Sequence, residues 1–177
     1  AIALSRTNLP PTVHLEKIDL AKVRPARRPR FLSSPYKFTP YVDGFALAGN
    51  RKPVPLVLEF VNGSRQTYAT GLGLGSHATF AFEYQLPAGV FRRLRGAAGL
   101  HADLGRRGHV RLEWRLDDKV LWQQEFGGKR LAEKFDLDVS AGGWLVLRGH
   151  ALTAVALADE NNLVLGEPVL ERSPSAP

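Results

Sequence analysis

The stretch YATGLGLGSHATFAFEYQL, Tyr68 to Leu86, joins a glycine-rich segment to a run whose every second residue is aromatic or large and apolar. Phe80, Phe82, Tyr84 and Leu86 share one face, while Ala81, Glu83 and Gln85 share the other. A period of two marks a strand with one buried and one wet face, because successive side chains of extended backbone point in opposite directions. The glycines ahead of it, Gly71, Gly73 and Gly75, read as a turn at the corner of a sandwich, where positive φ or a close backbone approach leaves no room for a Cβ. No Lys-Ser or Lys-Thr follows them and the next element is a strand, which argues against a phosphate-binding loop opening onto a helix.

The same alternation extends in both directions. Upstream, Leu56 to Val61 reads as a strand, Asn62-Gly63 as a hairpin turn, and Gln66 to Thr70 as the return strand. Downstream, Val90 to Gly99 is a strand carrying Arg92, Arg93 and Arg95. Val110, Leu112, Trp114 and Leu116 then alternate with Arg111, Glu113 and Arg115 up to a turn at Asp117-Asp118, and Val120 to Phe126 returns. Phe135, Leu137 and Val139 alternate with Asp136 and Asp138 ahead of a Gly142-Gly143 turn, and strands follow at Trp144 to Leu147, Ala151 to Ala158 and Gly166 to Glu171. Val13 to Leu20 is expected to be a first strand, Arg24 to Arg30 a basic surface loop, and Ser33 to Pro55 a set of short extended pieces broken by proline and glycine. Short strands with turns at regular intervals, and no long amphipathic helix, predict an all-β fold: an antiparallel β-sandwich in a single domain. The domain is expected over residues 13–171, with an N-terminal extension at 1–12 and a mobile polar tail at 172–177.

At 177 residues the chain is long enough to bury a core without staples, and it has no cysteine for a disulfide or a thiolate metal site. Net charge is +7, with arginine outnumbering lysine, which favours solubility and steering toward anions over specific recognition. Arg24–Arg30, Arg92–Arg95 and Arg106-Arg107 could grip sulfate or phosphate in bidentate fashion, but a solvated basic surface explains them as well, and no specific nucleic-acid partner is expected. No apolar run approaches the roughly 20 residues of a membrane-spanning helix. A chain that starts at Ala1 is expected to be a mature product or a piece of a longer protein.

No paired carboxylates, nucleophile elbow or cofactor fingerprint stands out, so no enzymatic activity is expected. His14, His77, His101, His109 and His150 show no metal-ligand spacing, and no cofactor is expected beyond a structural calcium that loop oxygens could hold. Trp114 and Trp144 read as core residues. Trp122, flanked by polar neighbours, is the tryptophan best suited to offer its flat apolar face to a pyranose ring, and Tyr68 is a further platform beside a loop. His77 can donate a hydrogen bond to a sugar hydroxyl or can satisfy buried carbonyls within its own turn.

Several motifs, in order, resemble a known family. GLGSHA at Gly73–Ala78 is followed by Tyr84, by Phe91-Arg92-Arg93-Leu94 and by Gly99-Leu100; Gly108-His109-Val110 and Asp117-Asp118 come next, and LEKIDLAKVRP at Leu15–Pro25 precedes them all. This order is similar to that of the NPCBM family of carbohydrate-binding modules and covers roughly Val13 to Glu171. The resemblance implies a galactose-binding-like jelly roll that recognises glycans, galactose-type above all, without catalysis. It also implies attachment to other domains of a larger secreted or cell-envelope protein. Together with the residue reading above, this leaves His77, Trp122, Tyr68, His101 and Asp103 as the candidate carbohydrate contacts. Two departures stand out: Leu165 where the family tends to carry tryptophan, and His101-Ala102-Asp103 where an aspartate directly follows the hydrophobic residue. They motivate an alternative, a structural or protein-interaction sandwich that has lost sugar binding.

Overall fold

A computed structural model describes residues 12–15, 41–44, 46–47, 52–75, 80–152 and 161–174. The described residues form two antiparallel sheets packed face to face. The larger contains β12 (Ala132–Asp138), β9 (Phe91–Leu100), β14 (Asn162–Arg172), β7 (Gly71–Gly75) and β2 (Tyr41–Asp43) in that spatial order, with β1 (Thr12–His14) pairing to the C-terminal half of β14. The smaller is β11 (Lys119–Gly127), β10 (His109–Leu116), β13 (Gly143–Ala151) and β8 (Phe80–Leu86). Two short hairpins, β3 (Ala46–Leu47) with β4 (Pro53–Val54) and β5 (Leu56–Glu59) with β6 (Arg65–Tyr68), complete the set. The expected antiparallel sandwich is thus the observed fold.

Alternation places the main core. Phe82, Tyr84 and Leu86 of β8, Val110, Leu112, Trp114 and Leu116 of β10, and Phe135 and Leu137 of β12 all point between the sheets and are buried. Each such side chain is worth about 1.5–3 kcal/mol of removed apolar surface. The outer face of the larger sheet is also half covered. Leu56, Leu58 and Tyr68 of the β5–β6 hairpin lie over Ala97, Ala132 and Val164, forming a second apolar cluster. Ala97 therefore belongs to one core and Ala98 to the other, and Val164 is flanked by Leu163 and Leu165 of the inner core. Strands covered on both faces lose the polar half of their alternation, which is why Gly96 to Leu100 reads as a small, continuously apolar run.

The glycine-rich segment is a strand, where a turn was expected. β7 sits between β14 and β2, with Leu72 and Leu74 in the inner core and the glycines at the alternate positions. Gly71 has φ +136°, and a Cβ there would collide with the Leu165 carbonyl oxygen across the strand pair. On β14, a Cβ at Gly166 would lie 2.7–2.8 Å from ring carbons of Tyr68, so the hairpin's close approach is what excludes a side chain. Just beyond, the β14–β9 register shifts between Gly166 and Val169, which accommodates Pro168, a residue with no N–H for a regular ladder.

Other boundaries moved modestly. The first strand ends at His14, Leu15 beyond it is buried in the inner core, and the rest of the expected Val13–Leu20 segment lies outside the described residues, as does the Arg24–Arg30 loop. Asn62-Gly63 does turn the β5–β6 hairpin, within a loop closed by the Gly63 N–H to Phe60 carbonyl bond and the Phe60 N–H to Ser64 carbonyl bond. Ala151 is the last residue of β13; the expected strand beyond it falls largely outside the described residues. β14 runs through Arg172, and the Ser173 N–H donates to the Val90 carbonyl. Trp144, expected in the core, pairs with Gln85 on the outer face of the smaller sheet and is half-buried, because it shares parity with Arg148 and His150 while Leu145 and Leu147 point inward.

Candidate functional site

Register identifies one end of the sandwich where the connections gather. Gly75 at the end of β7 pairs with Asn162 at the start of β14, Val110 near the start of β10 pairs with Ala151 at the end of β13, and His109 pairs with Gly127 at the end of β11. The connections β7–β8, β9–β10, β11–β12 and β13–β14 therefore all leave and re-enter at this end, each crossing from one sheet to the other. His77 belongs to the β7–β8 connection and lies outside the described residues.

The β9–β10 turn, residues 101–108, is tied into this end by side-chain and backbone bonds. His101 is 2% exposed and anchors it. Its Nδ1 accepts the Asp103 and Leu104 N–H groups at 3.1 and 3.2 Å, which places the ring proton on Nε2, where it donates to the Pro55 carbonyl at 2.9 Å. Burial pushes the imidazole below its ordinary value, against the Pro55 bond and the Asp103 carboxylate that pull it upward. The Ala102 N–H donates to Val57 and the His101 N–H to the Asn162 carbonyl, so the turn is tied to β5 on one side and β14 on the other. Asn161, fully buried, accepts the His109 N–H at 2.8 Å, and the Asn162 side chain donates to the Leu104 carbonyl at 3.2 Å.

Charged groups line the rim. Arg65 reaches Asp103 at 2.6 Å and Glu59 at 3.8 Å, while Arg106 reaches Glu59 at 2.7 Å. Asp103 is exposed and can accept a further hydrogen bond, since a carboxylate has more lone pairs than one guanidinium contact uses. Away from this end, Arg92 and Arg95 pair with Glu171, and Arg93 and Arg95 pair with Asp136. The Arg92–Arg95 run is thus balanced by carboxylates on its own sheet face. Among the described residues no three His, Asp or Glu side chains converge as metal ligands.

The four candidate contacts among the described residues do not assemble into one cluster. His101 and Asp103 share the β9–β10 turn. His101 is engaged at both ring nitrogens, so it shapes the turn and has no nitrogen left for a sugar. Tyr68 is the last residue of β6 and is buried over Gly166; burial first, and then the Glu167 carboxylate, pushes its phenol up to about 12. Trp122 is half-buried in the seam between the sheets, with ring centroids 6.1 Å from Phe126 and 5.7 Å from Phe135. Of the two rings expected as sugar platforms, Tyr68 is thus enclosed by protein, and Trp122 packs in part against Phe126 and Phe135. Asn161 and Asn162, which hold the turn from below, were missed. Their sequence signal is an Asn-Asn pair ahead of an apolar strand, the side chains that most readily bond to local backbone.

Fold and loop end together define the class: an antiparallel β-sandwich module, with its sheet-crossing connections gathered at one end. The family model described as NPCBM/NEW2 domain matches residues 55–162. The chain belongs to the NPCBM/NEW2 family. No curated protein sequence matches it. Among solved structures, the CBM51 module from Clostridium perfringens GH95 in complex with methyl-galactose superposes with a TM-score of 0.67 at 13% identity, over 90% of this chain and 99% of that one. The tandem CBM51 modules of Sp3GH98, the family 98 glycoside hydrolase from Streptococcus pneumoniae, superpose with a TM-score of 0.68 at 14% identity, over 95% of this chain and 49% of that one. CBM51-2 in complex with GlcNAc, with the INT domains of Clostridium perfringens ZmpB, gives 0.60 at 12% identity, over 74% of this chain and 27% of that one. At these identities the likeness shows the fold.

Proposed function

We propose that the chain is a non-catalytic carbohydrate-binding module that holds a larger secreted or envelope protein against galactose-type glycans. The observation that carries this reading is the family match over residues 55–162, which spans β5 to the first residue of β14 and so includes all four loops at the sandwich end. The methyl-galactose complex of the Clostridium perfringens GH95 module supports galactose as the first ligand to try. In this reading His77 and Asp103 contact the sugar, and His101 with Asn161 and Asn162 positions the turn that carries Asp103. Tyr68 and Trp122 support the scaffold around it.

Isothermal titration with methyl-galactoside tests the proposal. Saturable binding with a millimolar or tighter constant is expected, and Asp103→Ala weakens it by about tenfold, the loss of one charge-assisted hydrogen bond. A folded chain that takes up no galactoside at millimolar concentration overturns the galactose reading. The alternative, a protein-interaction sandwich, draws on the internal engagement of Tyr68, His101 and Trp122, and it predicts that neither galactoside nor GlcNAc binds.

A further inference from the structure

His101 joins two parts of the molecule through bonds that only one protonation state can make. Its Nδ1 faces two N–H donors of its own turn, and its Nε2–H faces the Pro55 carbonyl at the start of β5. Through these contacts the ring clamps the turn carrying Asp103 to the hairpin carrying Arg65 and Glu59. The Ala102 N–H to Val57 carbonyl bond and the Arg65–Asp103 and Glu59–Arg106 ion pairs join the same turn to the same hairpin, and the Asn162 carbonyl and side chain tie it to β14.

We propose that His101 is a positioning residue acting as a pH latch: its neutral imidazole holds the 102–108 turn in its glycan-binding shape, and protonation releases it. The regulation of binding rests on the function proposed above; the latch itself does not. A proton on Nδ1 points at the Asp103 and Leu104 N–H groups, so two accepted bonds become two donor–donor contacts. The new cation is buried, and burying a charge without a dedicated partner is costly. The charged groups facing it offer no ready compensation. Asp103 of the same turn is held at 2.6 Å by Arg65, and Arg65 of β6 repels the imidazolium. Glu59 of β5 is held at 2.7 Å by Arg106. The ring must therefore leave its pocket or the turn must open, and either movement frees the Asp103 and Leu104 amides and disturbs the Asp103–Arg65 pair.

The direction follows from linkage. A histidine whose folded-state pKa is depressed contributes fully above its unfolded value of about 6.5, and its contribution declines as pH falls below that value. Burial sets this direction here. The experiment is amide hydrogen exchange on the whole chain between about pH 7.5 and pH 5, corrected for intrinsic exchange, with and without His101→Asn. Asparagine keeps an oxygen near the Nδ1 position to accept the turn's amides but cannot titrate. Expected in the unsubstituted chain is loss of protection at Asp103 and Leu104 on acidification, steepening toward about tenfold per pH unit, the slope of one proton. In His101→Asn the same amides respond to pH no more than those of the β10–β13 ladder. Equal protection at both ends of the range in the unsubstituted chain overturns the latch, as does an undiminished pH response in His101→Asn. Galactoside affinity, measured over the same range, should fall with acid only when His101 is present. If no galactoside binds at any pH, the function proposed above fails, and the exchange measurement still decides the latch.

Discussion

Replacing Gly166 by alanine tests whether the outer layer of the larger sheet is kept small so that the β5–β6 hairpin can lie on it. Gly166 has no left-handed φ, so any residue could adopt its backbone conformation and only space forbids one. An added Cβ would stand 2.7 Å from both Cγ and Cδ2 and 2.8 Å from Cε2 of Tyr68. Carbon atoms rest at about 3.5–4.0 Å, so the ring must retreat by about 1 Å. It is packed among Leu56, Ala97 and Val164, so the retreat opens the outer apolar cluster. Overpacking of this kind costs about 1–3 kcal/mol. Removing a glycine from the unfolded chain returns about 0.4–1 kcal/mol, leaving a net loss of about 1–2 kcal/mol. In a Tyr68→Ala background the obstacle is gone, and Gly166→Ala should become neutral or slightly stabilising, although Tyr68→Ala itself costs about 3–5 kcal/mol. The coupling energy of the cycle, about 2 kcal/mol, is measurable by urea denaturation provided the m-values of the four proteins agree. If Gly166→Ala costs the same in both backgrounds, the glycine serves something other than the approach of Tyr68, and the account of the outer layer fails.

Two further predictions concern the aromatic residues. The Tyr68 hydroxyl is buried and has no hydrogen-bond partner among the described residues, so Tyr68→Phe should leave stability unchanged or raise it by up to about 1 kcal/mol in denaturant titrations. Because the folded phenol ionises near 12 while the unfolded one ionises near about 10, stability should be intact below about pH 10 and fall as pH rises above it; Tyr68→Phe should lack that part of the alkaline decline. Trp122→Ala should cost about 2 kcal/mol through lost packing on Phe126 and Phe135 and leave galactoside affinity as it was. Loss of affinity without unfolding would move the sugar contact from the loop end to the seam between the sheets.

The strands were legible because alternation is a local property. Val110 to Leu116 and Phe135 to Val139 declare their buried faces without reference to anything else in the chain. The site was less legible, for reasons that differ by residue. Tyr68 looked like a platform beside a loop because nothing nearby in sequence reveals that Gly166, almost a hundred positions on, leaves room for its ring. Trp144 looked like core because it opens an apolar run, although its shared parity with Arg148 and His150 was available as a signal for the outer face. His101 and Asp103 were found through the motif order, but their roles separate only in three dimensions. The ring of one is consumed by Pro55, Asp103 and Leu104, while the carboxylate of the other stays at the rim.

The amino-acid sequence by itself determined an all-β antiparallel domain, its hairpin turns and the family to which it belongs. These follow from periods of two, from turn chemistry and from the order of short motifs, all of which act over a few residues. The tertiary structure alone decided that GLGLG is a strand between β14 and β2, that part of the larger sheet is buried on both faces, and that His101 clamps two connections together. Each of these depends on what arrives from distant parts of the chain to lie against a given face, and local periodicity carries no record of that arrival.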